Sequence, residues 1–187
     1  MPAPRDPASL YDRKNTPLTR VVDAVPADAW TSPSPCEGWS AADVLQHMVD
    51  TQRDFMLKAG AEMPDPTPSV ARDGATAWRT HAEAVARNLA DPTIGEQPHE
   101  TPFGTSTIGQ TLADFYGFDM LVHRWDVATA AGVDAALTDA ELDEIETAAD
   151  GFGEHLTDDG VCAPPVDPPD GADRTTRVMA RLGRAAR

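Results

Sequence analysis

The sequence predicts an all-α bundle. Apolar residues recur at helical spacing in four long windows, capping boxes precede two helical stretches, and Pro-, Ser- and Gly-rich segments separate them. At 187 residues the chain suffices for one domain with a proper core and is short for two. Residues 1–187 therefore read as a single domain. The bundle occupies about 7–156, followed by a Pro-rich tail and short helix at about 157–187.

The first helix, about 7–25, carries Leu10, Leu18, Val21, Val22 and Val25, with Pro17 expected to kink it or delay its start. Thr31 to Trp39 is a loop by its Pro, Ser and Gly content. Ser40 with Asp43 forms a capping-box pattern for a second helix, about 41–59, burying Val44, Leu45, Met48 and Phe55. Pro64, Pro66 and Pro68 make the next segment a connection, and Ala75, Trp78, Val85 and Leu89 mark a third helix over about 72–90. Residues 98–108 turn around Gly104 and are compatible with a short extended pair, although Pro102 argues against a central strand. A fourth helix, about 109–131, stops at Gly132, and a fifth, about 138–156, starts from the Thr138/Glu141 capping box. Val178, Met179 and Leu182 give the tail a short docking helix.

Charge excludes some functions. A net charge of -16, from 31 acidic and 15 basic residues, repels phosphate backbones, and no Lys/Arg stripe interleaves with aromatics, so no nucleic-acid partner is expected. No apolar run reaches bilayer length and the Met1–Asp6 segment lacks a signal core, so no membrane is expected and the chain reads as cytoplasmic. Cys36 and Cys162, far apart in sequence, read as free thiols. Two lysines among fifteen basic residues suggest a GC-rich coding genome. There is no internal repeat and no Gly-rich phosphate loop.

The chemistry concentrates in Phe118-Asp119-Met120-Leu121-Val122-His123-Arg124-Trp125-Asp126. Asp119 and His123, four apart, share one face of a largely apolar helix. Burying such a pair is costly unless something satisfies it, and a divalent ion shared with His47 of the second helix does so. A simple Asp119–His123 ion pair without metal is the bland alternative. Asp126 orients a ligand from behind, caps the helix, or pairs with Arg124 at the surface. His81 reads as lying on a solvated face, His99 as a loop residue, and His155 as a helix-end residue suited to the dipole. Cys36 stands in the loop leading into the His47 helix, at the mouth of such a site, but no cation near it in sequence would make it a nucleophile. Trp39 and Trp125 read as packing residues near the same end.

Pro35-Cys36-Glu37-Gly38-Trp39-Ser40 with Asp43-Val44-Leu45-Gln46-His47, and Asp119-x3-His123-Arg124-Trp125-Asp126, resembles the DinB-like superfamily of four-helix metal-binding proteins. More narrowly it resembles the actinobacterial branch related to the N-terminal domain of mycothiol-dependent maleylpyruvate isomerase. Ala163-Pro164-Pro165-Val166 and Arg181-Leu182-Gly183-Arg184 resemble that branch too. The resemblance implies a four-helix bundle with a long crossover connection, here with extra loops and a short C-terminal helix. It also implies a divalent site on His47, Asp119 and His123, holding zinc, with nickel or iron as alternatives, and mycothiol as thiol cosubstrate of a transferase or isomerase. A non-catalytic metal or small-ligand binding module is the other implied role. The expected partner is a small-molecule ligand or thiol, and the chain a monomer or homodimer. Two departures stand out: Asp119 replaces the isomerase's Glu, and the residues after the fifth helix are too few for the isomerase's second domain. Both bear on specific maleylpyruvate chemistry more than on metal binding.

Overall fold

The computed structural model describes residues 6–185 apart from 66, 102, 103 and 159; Pro66 and Pro102, like the Met1–Arg5 segment, lie outside the described residues. The protein is all-α, with one small antiparallel strand pair. Helix α1 (Pro7–Ala24) starts where the Asp6 side chain accepts from the Ala8 N–H, with Pro7 in the first turn, and runs on through Pro17. Pro17 therefore does not delay its start. Helix α2 (Ala41–Lys58) begins at the expected capping box, in which Asp43 N–H donates to Ser40 Oγ and Ser40 N–H to Asp43 Oδ2. Asp73 caps α3 (Gly74–Leu89).

A long connection then crosses the bundle. It holds the single turn α4 (Pro92–Gly95), the strands β1 (Pro98–Thr101) and β2 (Gly104–Thr107), and α5 (Ile108–Thr111). The strands pair antiparallel, Pro98 opposite Thr107 and Thr101 opposite Gly104. Residues Leu112–Tyr116 wind as one π-helical turn into α6 (Gly117–Ala131), which ends at Gly132 in the left-handed conformation. Helix α7 (Asp139–Phe152) is shorter than its sequence pattern suggests. Gly153, at φ 56° and ψ −126°, breaks it, and the remainder tightens into a 3-10 turn. The tail closes with α8 (Arg174–Arg181).

Helices α1, α2, α3 and α6 form the bundle: α1 packs on α3 and α6, α2 packs on the same two, and α1 and α2 occupy opposite corners. Leu18, Val22, Val44, Leu45, Met48, Trp78, Val85 and Leu112 are wholly buried at its centre. Each such side chain contributes roughly 1.5–3 kcal/mol of hydrophobic stabilisation. Helix α6 is buried on a second side as well, where Phe118, Leu121 and Val122 meet Leu142 and Ile145 of α7 and Val178, Met179 and Leu182 of the tail. That double packing explains why its sequence is apolar almost all round. No helix among the described residues is long and apolar enough to cross a membrane.

His81 departs from the sequence reading. It is 1% exposed, because it follows Trp78 by three residues and precedes Val85 by four, which puts it on the buried stripe. Its Nε2–H donates to Gln52 Oε1 at 3.1 Å, an oxygen that also accepts from the Tyr11 hydroxyl at 3.1 Å. Burial, followed by the charge of Arg53, lowers its pKa to about 4, so the imidazole is neutral.

Candidate metal centre

The site forms where α2 and α6 pack, beneath the loop that enters α2. That loop is closed on itself: Ser34 N–H donates to Trp39 O, Trp39 N–H to Cys36 O, and Ala41 N–H to Ser32 O. Gly38 turns the chain at φ 80°, where a side chain would be strained. The turn brings Cys36 and Trp39 over His47, and the Trp39 ring lies 5.0 Å from the His47 ring.

Asp119 and His123 lie one helical turn apart on α6, with His123 Nε2 3.1 Å from Asp119 Oδ1. His47 Nε2 approaches the other oxygen, Asp119 Oδ2, at 3.6 Å. One carboxylate thus faces two imidazoles. Ligand atoms of the three residues all lie within 4.8 Å of one another. The second nitrogen of His123 fixes its tautomer. Nδ1 lies 2.8 Å from Asp126 Oδ2, and a carboxylate only accepts, so Nδ1 carries the hydrogen. The Nε2 lone pair of a neutral His123 would then oppose the Asp119 oxygen at 3.1 Å. A shared cation, proton or divalent metal, relieves that repulsion.

Electrostatics agree. Burial pushes the Asp119 carboxyl upward, but the charge and hydrogen bond of His123, then those of His47, outweigh it and hold the carboxyl well below the usual range. Burial disfavours the charged His123, yet Asp119, Asp126 and Cys36 together raise it well above an ordinary histidine. Two imidazoles and a carboxylate make a borderline donor set that suits zinc, and equally nickel or iron. The residues present fit a divalent ion.

A second grouping, Cys36, His123 and Asp126, also brings its ligand atoms within 4.8 Å of one another. It is a poor cation site. Arg184 Nη2 lies 3.5 Å from both Cys36 Sγ and Asp126 Oδ2, and an ion there would displace the hydrogen on His123 Nδ1. Its chemistry is that of a support: Cys36 S–H donates to Asp126 Oδ2 at 3.3 Å, behind the imidazole.

Over the three candidate ligands opens a cavity of about 570 Å³, lined by the Cys36–Trp39 loop, residues 160–164, and Arg184. His47 and Asp119 keep 31% and 28% side-chain exposure and line this cavity, while His123 keeps 6%. A separate cavity of about 390 Å³ beside the strand pair is lined by Phe115, Phe118 and Phe152 and gathers no imidazole or thiol.

The model of the family described as mycothiol maleylpyruvate isomerase N-terminal domain matches residues 12–128, more than half of the chain. The chain belongs to that family. The matched span contains His47, Asp119, His123, Cys36 and Asp126, but ends before Cys162 and Arg184. Two proteins of Mycobacterium tuberculosis, the uncharacterized MT0763 of strain CDC 1551 and Rv0738 of strain H37Rv, are each 29% identical over 138 residues, covering 73% of this chain and 73% of each relative. No solved structure matches.

Within this family member, several sequence expectations change. Asp126 is neither a surface partner of Arg124 nor a cap: it is wholly buried and takes the His123 hydrogen bond. Arg124, also wholly buried, instead forms a bidentate pair with Glu141, Nη1 to Oε1 at 3.0 Å and Nη2 to Oε2 at 2.7 Å. Cys36 does have a cation beside it, Arg184, supplied from the far end of the chain. Cys162 lines the same cavity; both thiols are free, and burial raises that of Cys162 against the pull of Arg184. His99 packs edge-on against Phe55, and His155 is exposed and pairs with Asp158. Arg184 and Cys162 have no spacing relation to the motifs. The sequence signal for Arg184 is the Arg181-Leu182-Gly183-Arg184 stretch, which resembles the same branch.

Proposed function

We propose that the protein binds a divalent metal ion, zinc, through His47, Asp119 and His123, and presents it to a low-molecular-weight thiol, mycothiol, for transfer to an electrophile or for thiol-assisted isomerisation. The observation that carries this is the convergence of two imidazole nitrogens and a carboxylate within 4.8 Å, with His123 already oriented by Asp126. When bound, such an ion supplies a Lewis-acid centre that stabilises a thiolate at neutral pH. The chain's own contribution is positional. Asp119 spans both imidazoles, Asp126 fixes the His123 ring from behind, and Trp39 walls the site on one side. The Cys36 sulfur, engaged with Asp126 and Arg184, supports the site; the attacking thiol comes from outside.

The cavity over the ligands favours access by a small molecule over a sealed structural ion. A non-catalytic module would keep the same ligands and show no turnover. The test is cobalt(II)-substituted protein titrated with mycothiol. A sulfur-to-cobalt charge-transfer band is expected, and it should be absent from His47→Ala. A cobalt spectrum that no thiol perturbs would refute the thiol half of the proposal.

A further inference from the structure

We propose that Arg184, carried back to the metal centre by the C-terminal tail, is a positioning residue of that centre: it holds Asp126, and through Asp126 the His123 imidazole. The inference rests on the metal-binding reading above and extends the site beyond the segment that matches the family, which ends at residue 128.

Asp126 is 0% exposed and Arg184 only 6%. A wholly buried carboxylate is costly without an opposite charge. Arg124, two residues before Asp126, is turned toward Glu141. Asp126 Oδ2 has His123 Nδ1 at 2.8 Å, Cys36 Sγ at 3.3 Å, and Arg184 at 3.5 Å through both Nη2 and Nε. Without Arg184, the carboxylate charge would rest on one ring N–H and one weak S–H donor. The guanidinium is itself fixed, since Nη1 donates to Leu182 O at 2.7 Å.

The tail is built to deliver this side chain. Val178, Met179 and Leu182 bury against Phe118, Leu121 and Val122 of α6, the helix that carries Asp119 and His123. The chain then turns back, with Gly183 N–H donating to Ala180 O and Arg184 N–H to Met179 O. Gly183 makes the turn at φ 79°, and a Cβ there would lie 2.6 Å from both Cβ and O of Ala163. Only glycine lets the tail close onto the segment that lines the cavity. Docking of the tail and organisation of the site thus share one helix and one buried ion pair. By linkage, each stabilises the other.

The test is a chelator-competition titration of zinc, paired with the visible spectrum of the cobalt(II) form. Wild type is compared with Arg184→Gln, Arg184→Lys, His47→Ala and Arg181→Gln. Arg181 serves as a control because it ends α8, three residues before Arg184 in the same tail, but pairs with exposed Asp150. Arg184→Gln is expected to weaken zinc by about tenfold or more and to shift the cobalt bands. Arg184→Lys should recover most of the affinity while still shifting the bands, and Arg181→Gln should change neither. If Arg184→Gln does not fold, Arg184→Lys decides, and unchanged bands there overturn the proposal. Wild-type affinity and spectrum in Arg184→Gln, with zinc lost from His47→Ala, overturn this inference alone. Wild-type protein that takes up no zinc overturns the metal reading and this inference with it.

Discussion

Replacing Glu141 by alanine tests how the ligand-bearing helix is anchored. Glu141 has two roles: its carboxylate grips the fully buried Arg124 guanidinium at 3.0 and 2.7 Å, and it accepts from the Thr138 N–H at 2.8 Å as the capping box of α7. Removing one partner of a buried ion pair costs roughly 3–5 kcal/mol, because the other charge is left unmatched. The Glu141 end keeps 18% exposure, so water reaches the pair and the lower end of that range applies. Losing the reciprocal cap adds about 1 kcal/mol. A total of about 4 kcal/mol corresponds to a fall in Tm of roughly 8–16 °C for a chain of this length. Burial raises the Glu141 pKa, but its bonds to Arg124 and Thr138 outweigh that and hold it below the ordinary glutamate value of 4.5. Its contribution is therefore fully present above pH 4.5 and lost as pH falls through the depressed folded value. Thermal melts of wild type and Glu141→Ala at neutral and acidic pH measure both effects. A variant melting within about 2 °C of wild type at neutral pH would refute the reasoning.

Other predictions follow from the same contacts. Asp126→Asn keeps the shape but loses the charge behind His123, and should weaken zinc by about ten- to a hundredfold in competition titrations. Gly183→Ala should loosen the tail, seen as faster amide exchange over residues 174–185, because its Cβ meets Ala163 and the φ of 79° strains it. Buried His81 resists protonation down to about pH 4, whereas the unfolded chain takes up the proton near 6.5. Stability should thus fall by roughly 3 kcal/mol as pH drops between those values. Urea unfolding of His81→Gln should show a flatter pH dependence across that interval.

Helical spacing, the two capping boxes and the Pro/Gly breaks made the bundle legible, because local hydrogen bonding and a one-sided apolar stripe fix those elements. Asp119 and His123 were legible as a pair for the same reason: four residues along a helix is a contact. The Ala and Arg neighbours of His81 suggest a solvent-facing position, but its spacing from Trp78 and Val85 sets it on the buried stripe. The support behind the site was not legible. Asp126 could be placed on the right helix but not given its partner, since Arg184 is 58 residues away and reaches it only through tail docking. Likewise, α7 ends early because of a backbone conformation at Gly153, which residue type alone does not dictate.

The most direct test of the central claim is the metal content of protein purified without a His tag, wild type beside His47→Ala, Asp119→Ala and His123→Ala. The account predicts stoichiometric zinc, or a similar divalent ion, in wild type and its loss from all three variants. Wild-type metal content in the His47→Ala and His123→Ala proteins would contradict it.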